Sequence, residues 1–150
     1  MSYKYLFLND YSEGAHPDIL KLLQESNFNQ EMGYGEDSLC QKAEALIKKE
    51  LKNDSAKVHF VSGGTQANLV VLASMLKSYE SVISSETGHI NIHEAGAIEA
   101  TGHRINSIKT KDGKLTVEDI KFVLESHTDE HMVKPKVVFV SQSTEIGTIY

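Results

Sequence analysis

Short apolar runs alternate along the chain with segments whose apolar residues recur at helical spacing. Leu39, Ala43, Leu46, Ile47 and Leu51 fall on one face of a 3.6-residue period, which predicts a helix. Lys48, Lys49 and Lys52 suit its carboxyl end. An earlier helix is predicted from Pro17, with Ile19, Leu20, Leu22 and Leu23 as its apolar face. The stretch between them, Asn27 to Asp37, is polar, carries Gly33 and Gly35, and reads as a loop. A third helix, Thr65 to Tyr79, is apolar nearly all round, which predicts a buried element with Thr65 as its N-cap. Ile92 to Ala100 reads as a helix. A further helix is predicted after Thr116, with Asp119 completing a weak capping box and Ile120, Val123 and Leu124 facing inward.

Strand candidates fall between these helices. They are Tyr5–Leu8, Val58–Val61, Ser81–Ser84, Arg104–Ile108 and Val137–Val140. The last is a continuous β-branched and aromatic run, which predicts a strand covered on both faces. Turn residues separate Arg104–Ile108 from the Thr116 helix, and the polar stretch His127 to Lys134 reads as a loop. Strand–helix alternation of this kind implies a mostly parallel, doubly wound α/β sheet. Such a sheet needs covering elements beyond the Val137–Val140 strand. The 150 residues are therefore expected to be the front part of a longer protein.

Composition narrows the function. With 15 Lys+Arg against 21 Asp+Glu the formal net charge is −6, and Arg104 is the sole arginine. Scattered lysines on an acidic chain argue against a nucleic-acid surface. No apolar run approaches the roughly 20 residues of a membrane helix. A single cysteine, Cys40, cannot form an internal disulfide, and the first residues lack signal-peptide architecture. A cytoplasmic location is expected, with neither nucleic-acid nor membrane partners.

Three segments could carry chemistry. Val58–Val61 followed by Ser62-Gly63-Gly64-Thr65 and a helix is a strand, a glycine-rich turn and a helix N-terminus. Unpaired N–H groups and the positive dipole end there suit a phosphate, with the Thr65 hydroxyl as an added donor. The spacing matches neither a dinucleotide nor a nucleoside-triphosphate fingerprint, and a plain tight turn remains the alternative. The second segment is Glu86 to Glu94. On a helix His89 and His93 share a face, so with Glu94 or His103 they could ligate zinc. Acid–base chemistry, ring stacking and a solvated surface are the other readings. The third is Ser141-Gln142-Ser143-Thr144-Glu145, at the carboxyl end of a strand, where open α/β sheets bind ligands. His127 to His131 reads as a solvated loop. His16, His59 and Cys40 read as structural residues, since nothing electropositive surrounds the cysteine.

Five stretches, taken in order, resemble one family. They are Leu8-Asn9-Asp10-Tyr11, Tyr34-Gly35-Glu36-Asp37, Ser62 to Asn68, His89 with Glu94-Ala95-Gly96-Ala97, and Thr144-Glu145-Ile146-Gly147-Thr148. The family is that of low-specificity L-threonine aldolases and β-eliminating lyases, pyridoxal-phosphate enzymes of the aspartate-aminotransferase-like fold. The resemblance implies a three-layer α/β sandwich around a mostly parallel sheet. Residues 1–150 would supply the N-terminal segment and the first part of the cofactor-binding large domain. It also implies cleavage of an L-threonine-type β-hydroxy-α-amino acid to glycine and an aldehyde, with β-elimination on another amino acid as the alternative.

Residue roles are implied in the same way. Gly63, Gly64 and Thr65 would hold the phosphate of pyridoxal 5′-phosphate. His89 would stack on its ring and take part in proton transfer, which demotes the zinc reading of His89 and His93 and leaves a non-catalytic fragment with a zinc site at His89, His93 and Glu94 as a further alternative. Asn9 and Tyr34 would lie near the substrate, Tyr34 at a subunit interface of a homodimer or homotetramer. Glu145 stands where some relatives carry a histidine that acts on the substrate hydroxyl. The Schiff-base lysine, the aspartate facing the pyridine nitrogen and the carboxylate-binding arginine fall beyond the matching region. No lysine here sits in a matching motif, so these 150 residues alone are expected to be inactive.

Overall fold

The computed structural model describes Asn9 and residues 11–150. The strand candidate Tyr5–Leu8 lies outside the described residues. The chain divides into two compact units, residues 1–60 and 61–150.

The first unit holds two helices, α1 (Pro17–Ser26) and α2 (Ser38–Leu51), both where the apolar spacing places them. His16 caps α1 through Nδ1, which accepts the Asp18 N–H at 3.2 Å, and Pro17 supplies the first helical turn. That gives His16 a structural role. Asp37 caps α2 by accepting the Cys40 N–H at 2.8 Å. The helix ends at Lys52 in the left-handed region, φ 51°. Neither helix buries a residue completely, and Leu20 and Leu23 are 55% and 59% exposed.

The second unit is an α/β layer structure. Its elements are α3 (Gly64–Met75), β1 (Glu80–Ser85), α4 (His89–Ile92), α5 (Ala97–Ala100), β2 (Arg104–Ile108), α6 (Val117–Ser126) and β3 (Lys134–Val138). The three strands form one parallel sheet in the order β2-β1-β3. Alternation along β1 sends Val82 and Ile83 to opposite faces. Val82 packs with Leu72 and Leu76 from the α3 end, Ile90 from α4 and Ile98 from α5. Ile83 packs with Leu115 and Val123, supported by Ile120 of α6. Helices thus cover both faces of a parallel sheet, the three-layer α/β arrangement expected. Ile83, Ile90, Ile98 and Val82 are almost fully enclosed, each contributing about 1.5–3 kcal/mol by burial.

Several local expectations are corrected. Residues 58–61 form no strand, because no neighbouring strand offers them backbone partners among the described residues. The third helix starts at Gly64, so its N-cap is Gly63 rather than Thr65. Only one side of it meets the sheet, leaving Val70, Val71 and Met75 about half exposed. The segment Ile92–Ala100 is not one helix. It breaks between α4 and α5, where Ala95 (φ 51°) and Gly96 (φ 73°) turn left-handed. Leu124 faces outward, at 49% exposure, while Val123 is buried.

The doubly covered strand is β1, all six of whose residues are buried. β3 lies at an edge of the described sheet and is shifted toward the N-terminus of the Val137–Val140 run. A register break leaves Lys136 unpaired between Pro135 and Val137, as suits a proline that cannot donate to the ladder. The Phe139 N–H still donates to the Ile83 carbonyl at 2.8 Å, so the ladder runs one residue past β3. The capping box of α6 is complete. Thr116 Oγ1 accepts the Asp119 N–H at 3.1 Å, and Asp119 Oδ2 accepts the Thr116 N–H at 2.8 Å.

Candidate active site

The carboxyl ends of β1 and β3 carry the site in the second unit. After β1 the chain turns through Glu86-Thr87-Gly88 into His89 at the start of α4. Gly88 permits this path: a Cβ there would sit 2.2 Å from Ser84 Oγ and 3.1 Å from the Ser85 carbonyl. After β3, Ser141 Oγ accepts the His89 N–H at 3.1 Å, tying the two strand ends together.

Glu145 is held by a tight turn. The Thr144 N–H donates to the Thr148 carbonyl at 2.9 Å, and the Gly147 N–H to the Thr144 carbonyl at 2.9 Å. Thr148 Oγ1 donates to the Asp112 carbonyl at 2.6 Å, pinning the turn to the loop before α6. Gly113 fits beneath it, where an added Cβ would come within 3.0 Å of Thr144.

His89 stands between two carboxylates. Its Nδ1 lies 2.9 Å from Glu145 Oε1, and its Nε2 lies 3.7 Å from Glu94 Oε1. The other Glu145 oxygen faces His93 Nε2 at 3.6 Å, and the two imidazole centroids are 5.6 Å apart. Glu94 Oε1 accepts from Asn68 Nδ2 at 2.5 Å. Asn68 lies one turn into α3, so this bond ties the histidine cluster to the helix that begins at Gly64.

The start of α3 has the features a phosphate needs. The N–H groups of Gly64, Thr65 and Gln66 find no acceptor among the described residues. Cβ atoms added at Gly63 or Gly64 would meet nothing within 4 Å, so the space ahead of the helix is open. The Gln66 side chain closes the preceding turn by accepting the Ser62 N–H at 2.7 Å and its hydroxyl at 2.9 Å. Gly63 and Gly64 therefore form an open cradle, and His89 a 41%-exposed flat ring connected to it through Glu94 and Asn68. These residues fit a phosphorylated, planar cofactor.

Zinc fits less well. Glu94 makes an ion-pair contact with His89 and His93 makes one with Glu145, and no ion-pair contact joins Glu94 to His93 among the described residues, so the three do not surround a common point. No group of three or more His, Cys, Asp or Glu among the described residues is placed to hold a metal ion.

Asn9 and Tyr34 lie in the first unit. Asn9 Oδ1 accepts the Tyr11 N–H at 3.1 Å and the Ser12 hydroxyl at 2.7 Å. Tyr34 is fully exposed, with a left-handed backbone at φ 63°. Cys40 is half-buried, and its hydrogen bond to Asp37 pushes the thiol above its ordinary range, which suits a packing residue rather than a nucleophile. Nothing local in the sequence points to the Asn68–Glu94 bond, or to Gly88 and Gly113 as packing requirements. Asn68 and Glu94 are 26 residues apart, and no periodicity pairs them.

Comparison with known proteins gives the same direction. The family model for beta-eliminating lyases matches residues 14–150. A low specificity L-threonine aldolase from Pseudomonas sp. (strain NCIMB 10558) is 35% identical over 96% of this chain. One from Pseudomonas aeruginosa is 36% identical over the same share. The chain spans 42% of the length of each of these relatives. A solved structure of Leishmania major threonine aldolase is 51% identical, with a TM-score of 0.89 over 95% of this chain and 42% of that one. An alanine–glyoxylate aminotransferase from Nostoc sp., at 19% identity and a TM-score of 0.52, shares the fold. No helix among the described residues is long and apolar enough to cross a membrane.

Proposed function

From the premise that this chain belongs to the beta-eliminating lyase family, we propose that it carries the phosphate cradle and ring-facing histidine of a pyridoxal-phosphate-dependent carbon–carbon lyase. The substrate class is a β-hydroxy-α-amino acid of the L-threonine type, and the products are glycine and an aldehyde. One observation carries the reading. The open, glycine-led start of α3 is joined through Asn68 and Glu94 to His89, and Glu145 sits on that imidazole.

When bound, pyridoxal phosphate supplies an electron sink for the charge left on Cα as the Cα–Cβ bond breaks. The residues of this chain do the rest. Backbone N–H groups at Gly64 and Thr65, with the Thr65 hydroxyl, would hold the phosphate at the positive end of α3. His89, its ring 41% exposed, would face the cofactor. Glu145, held 2.9 Å from His89 Nδ1, accepts the proton of the substrate hydroxyl and is neutralised by it, while the electron pair left on that oxygen forms the aldehyde carbonyl as the Cα–Cβ bond breaks. Asn9 and Tyr34 contribute to substrate binding, Tyr34 from across a subunit interface of a homodimer or homotetramer. Residues 1–150 form the N-terminal segment and first part of the large domain.

Titration of the whole protein with pyridoxal phosphate, followed by absorbance, tests the cradle. Thr65→Val is expected to weaken binding by about ten-fold or more, the loss of one hydrogen bond to a charged group. An unchanged affinity would remove Thr65 from the phosphate site. β-Elimination is the second reading, favoured by the family's own description.

A further inference from the structure

Glu94 is the one carboxylate of the cluster removed from solvent. Its side chain is wholly buried, whereas that of Glu145 is 23% exposed. Asn68 holds one oxygen. The other, Oε2, is buried and receives no hydrogen bond among the described residues. An apolar side chain would fill such a place without leaving a polar atom unpaired. The sheet-facing neighbours on either side, Ile90 and Ile98, show that this layer accepts apolar residues. The carboxylate is also aimed: its Asn68-bonded oxygen is the one that faces His89 Nε2, at 3.7 Å. That separation is in ion-pair range and longer than a direct hydrogen bond, as is common at sites before their ligands tighten them.

We propose that Glu94 is a positioning residue for His89. Facing Nε2 with its buried oxygen, it fixes the imidazole's rotation, while Asn68 holds the carboxylate in place. Glu145 faces Nδ1, His93 faces the far oxygen of Glu145, and Ser141 anchors the His89 backbone, so these are the polar neighbours of His89 among the described residues. Burial keeps water from competing for Glu94, so the ring is oriented before any ligand arrives. The catalytic consequence rests on the cofactor reading above; the positioning itself does not.

The test is nitrogen-15 NMR of the histidine side chains in the whole protein without cofactor, paired with Glu94→Gln, which keeps the volume and removes the charge. In the wild type the His89 ring signals are expected to report one fixed orientation; a ring averaged over rotamers would overturn the proposal. In folded Glu94→Gln the His89 signals are expected to shift, and unchanged signals would overturn it too. Should that variant fail to fold, Asn68→Ala releases the carboxylate from its other side and is read by the same criterion. In the cofactor-loaded protein Glu94→Gln is expected to lower kcat about ten- to a hundred-fold with KM little changed. A rise in KM at constant kcat would overturn the catalytic part. Failure of the wild type to bind pyridoxal phosphate would sink the cofactor reading while leaving the NMR result to judge Glu94.

Discussion

Glu145 and His89 come from points 56 residues apart and meet at 2.9 Å. If Glu145 takes the substrate hydroxyl proton, Glu145→Gln removes the acceptor and keeps the shape. We expect kcat to fall by about 10²–10⁴-fold, the usual range for a lost general base, with cofactor absorbance unchanged. Steady-state rates beside a cofactor titration check it; a kcat within two-fold of wild type would exclude Glu145 from that role. Glu145 and His89 could each be picked out from the sequence, as a polar residue at a strand end and a histidine in a polar segment. Their pairing could not, because the turn from Thr144 to Thr148 rests on Asp112 and Gly113, in a loop whose sequence announces only a turn.

At the scale of elements, what was legible followed local chemistry. The α6 capping box shows in Thr116 and Asp119 alone, since both hydrogen bonds close within four residues. Thr116→Ala should destabilise the protein by about 1 kcal/mol, measurable by denaturant unfolding. The box is also acid-sensitive. The Thr116 backbone N–H, then its hydroxyl, hold the Asp119 carboxyl below its ordinary value. A lowered folded pKa means the stabilisation is complete above the ordinary aspartate value of about 3.9. It is lost as pH falls through the lowered value. The difference in melting temperature between wild type and Thr116→Ala should therefore shrink below about pH 4 and stay constant above pH 6.

Other elements depended on distant neighbours. Val58–Val61 has the residues of a strand but no partner among the described residues, while the serine-bearing Ser81–Ser84 became the centre of the sheet because β2 and β3 flank it. The Ile92–Ala100 pattern was helical in composition, yet Ala95 and Gly96 turn left-handed and deliver Glu94 to His89. Gly88→Ala would force a Cβ against Ser84 and the Ser85 carbonyl. A cost of about 1–3 kcal/mol is expected, with displacement of His89, read as a lower melting temperature and weaker cofactor binding. Retention of both would show that the close approach is not required.

For the whole molecule, parallel topology and layer order were readable from strand–helix alternation, because each strand candidate in the second unit is followed or preceded by a helix that can cover it. Burial was less readable. The apolar faces of α1 and α2 stay exposed, as does Phe122 of α6 at 71%. A polypeptide of these 150 residues alone is therefore expected to bind a hydrophobic dye and to self-associate as its concentration rises. Sedimentation of a dye-free monomer at high concentration would contradict that.

The central claim is the bond that breaks. Supplying the whole protein with pyridoxal phosphate and L-threonine, and identifying the products, tests it most directly. Carbon–carbon cleavage predicts glycine and acetaldehyde in equal amounts. Release of 2-oxobutanoate and ammonia instead would contradict the account and establish β-elimination.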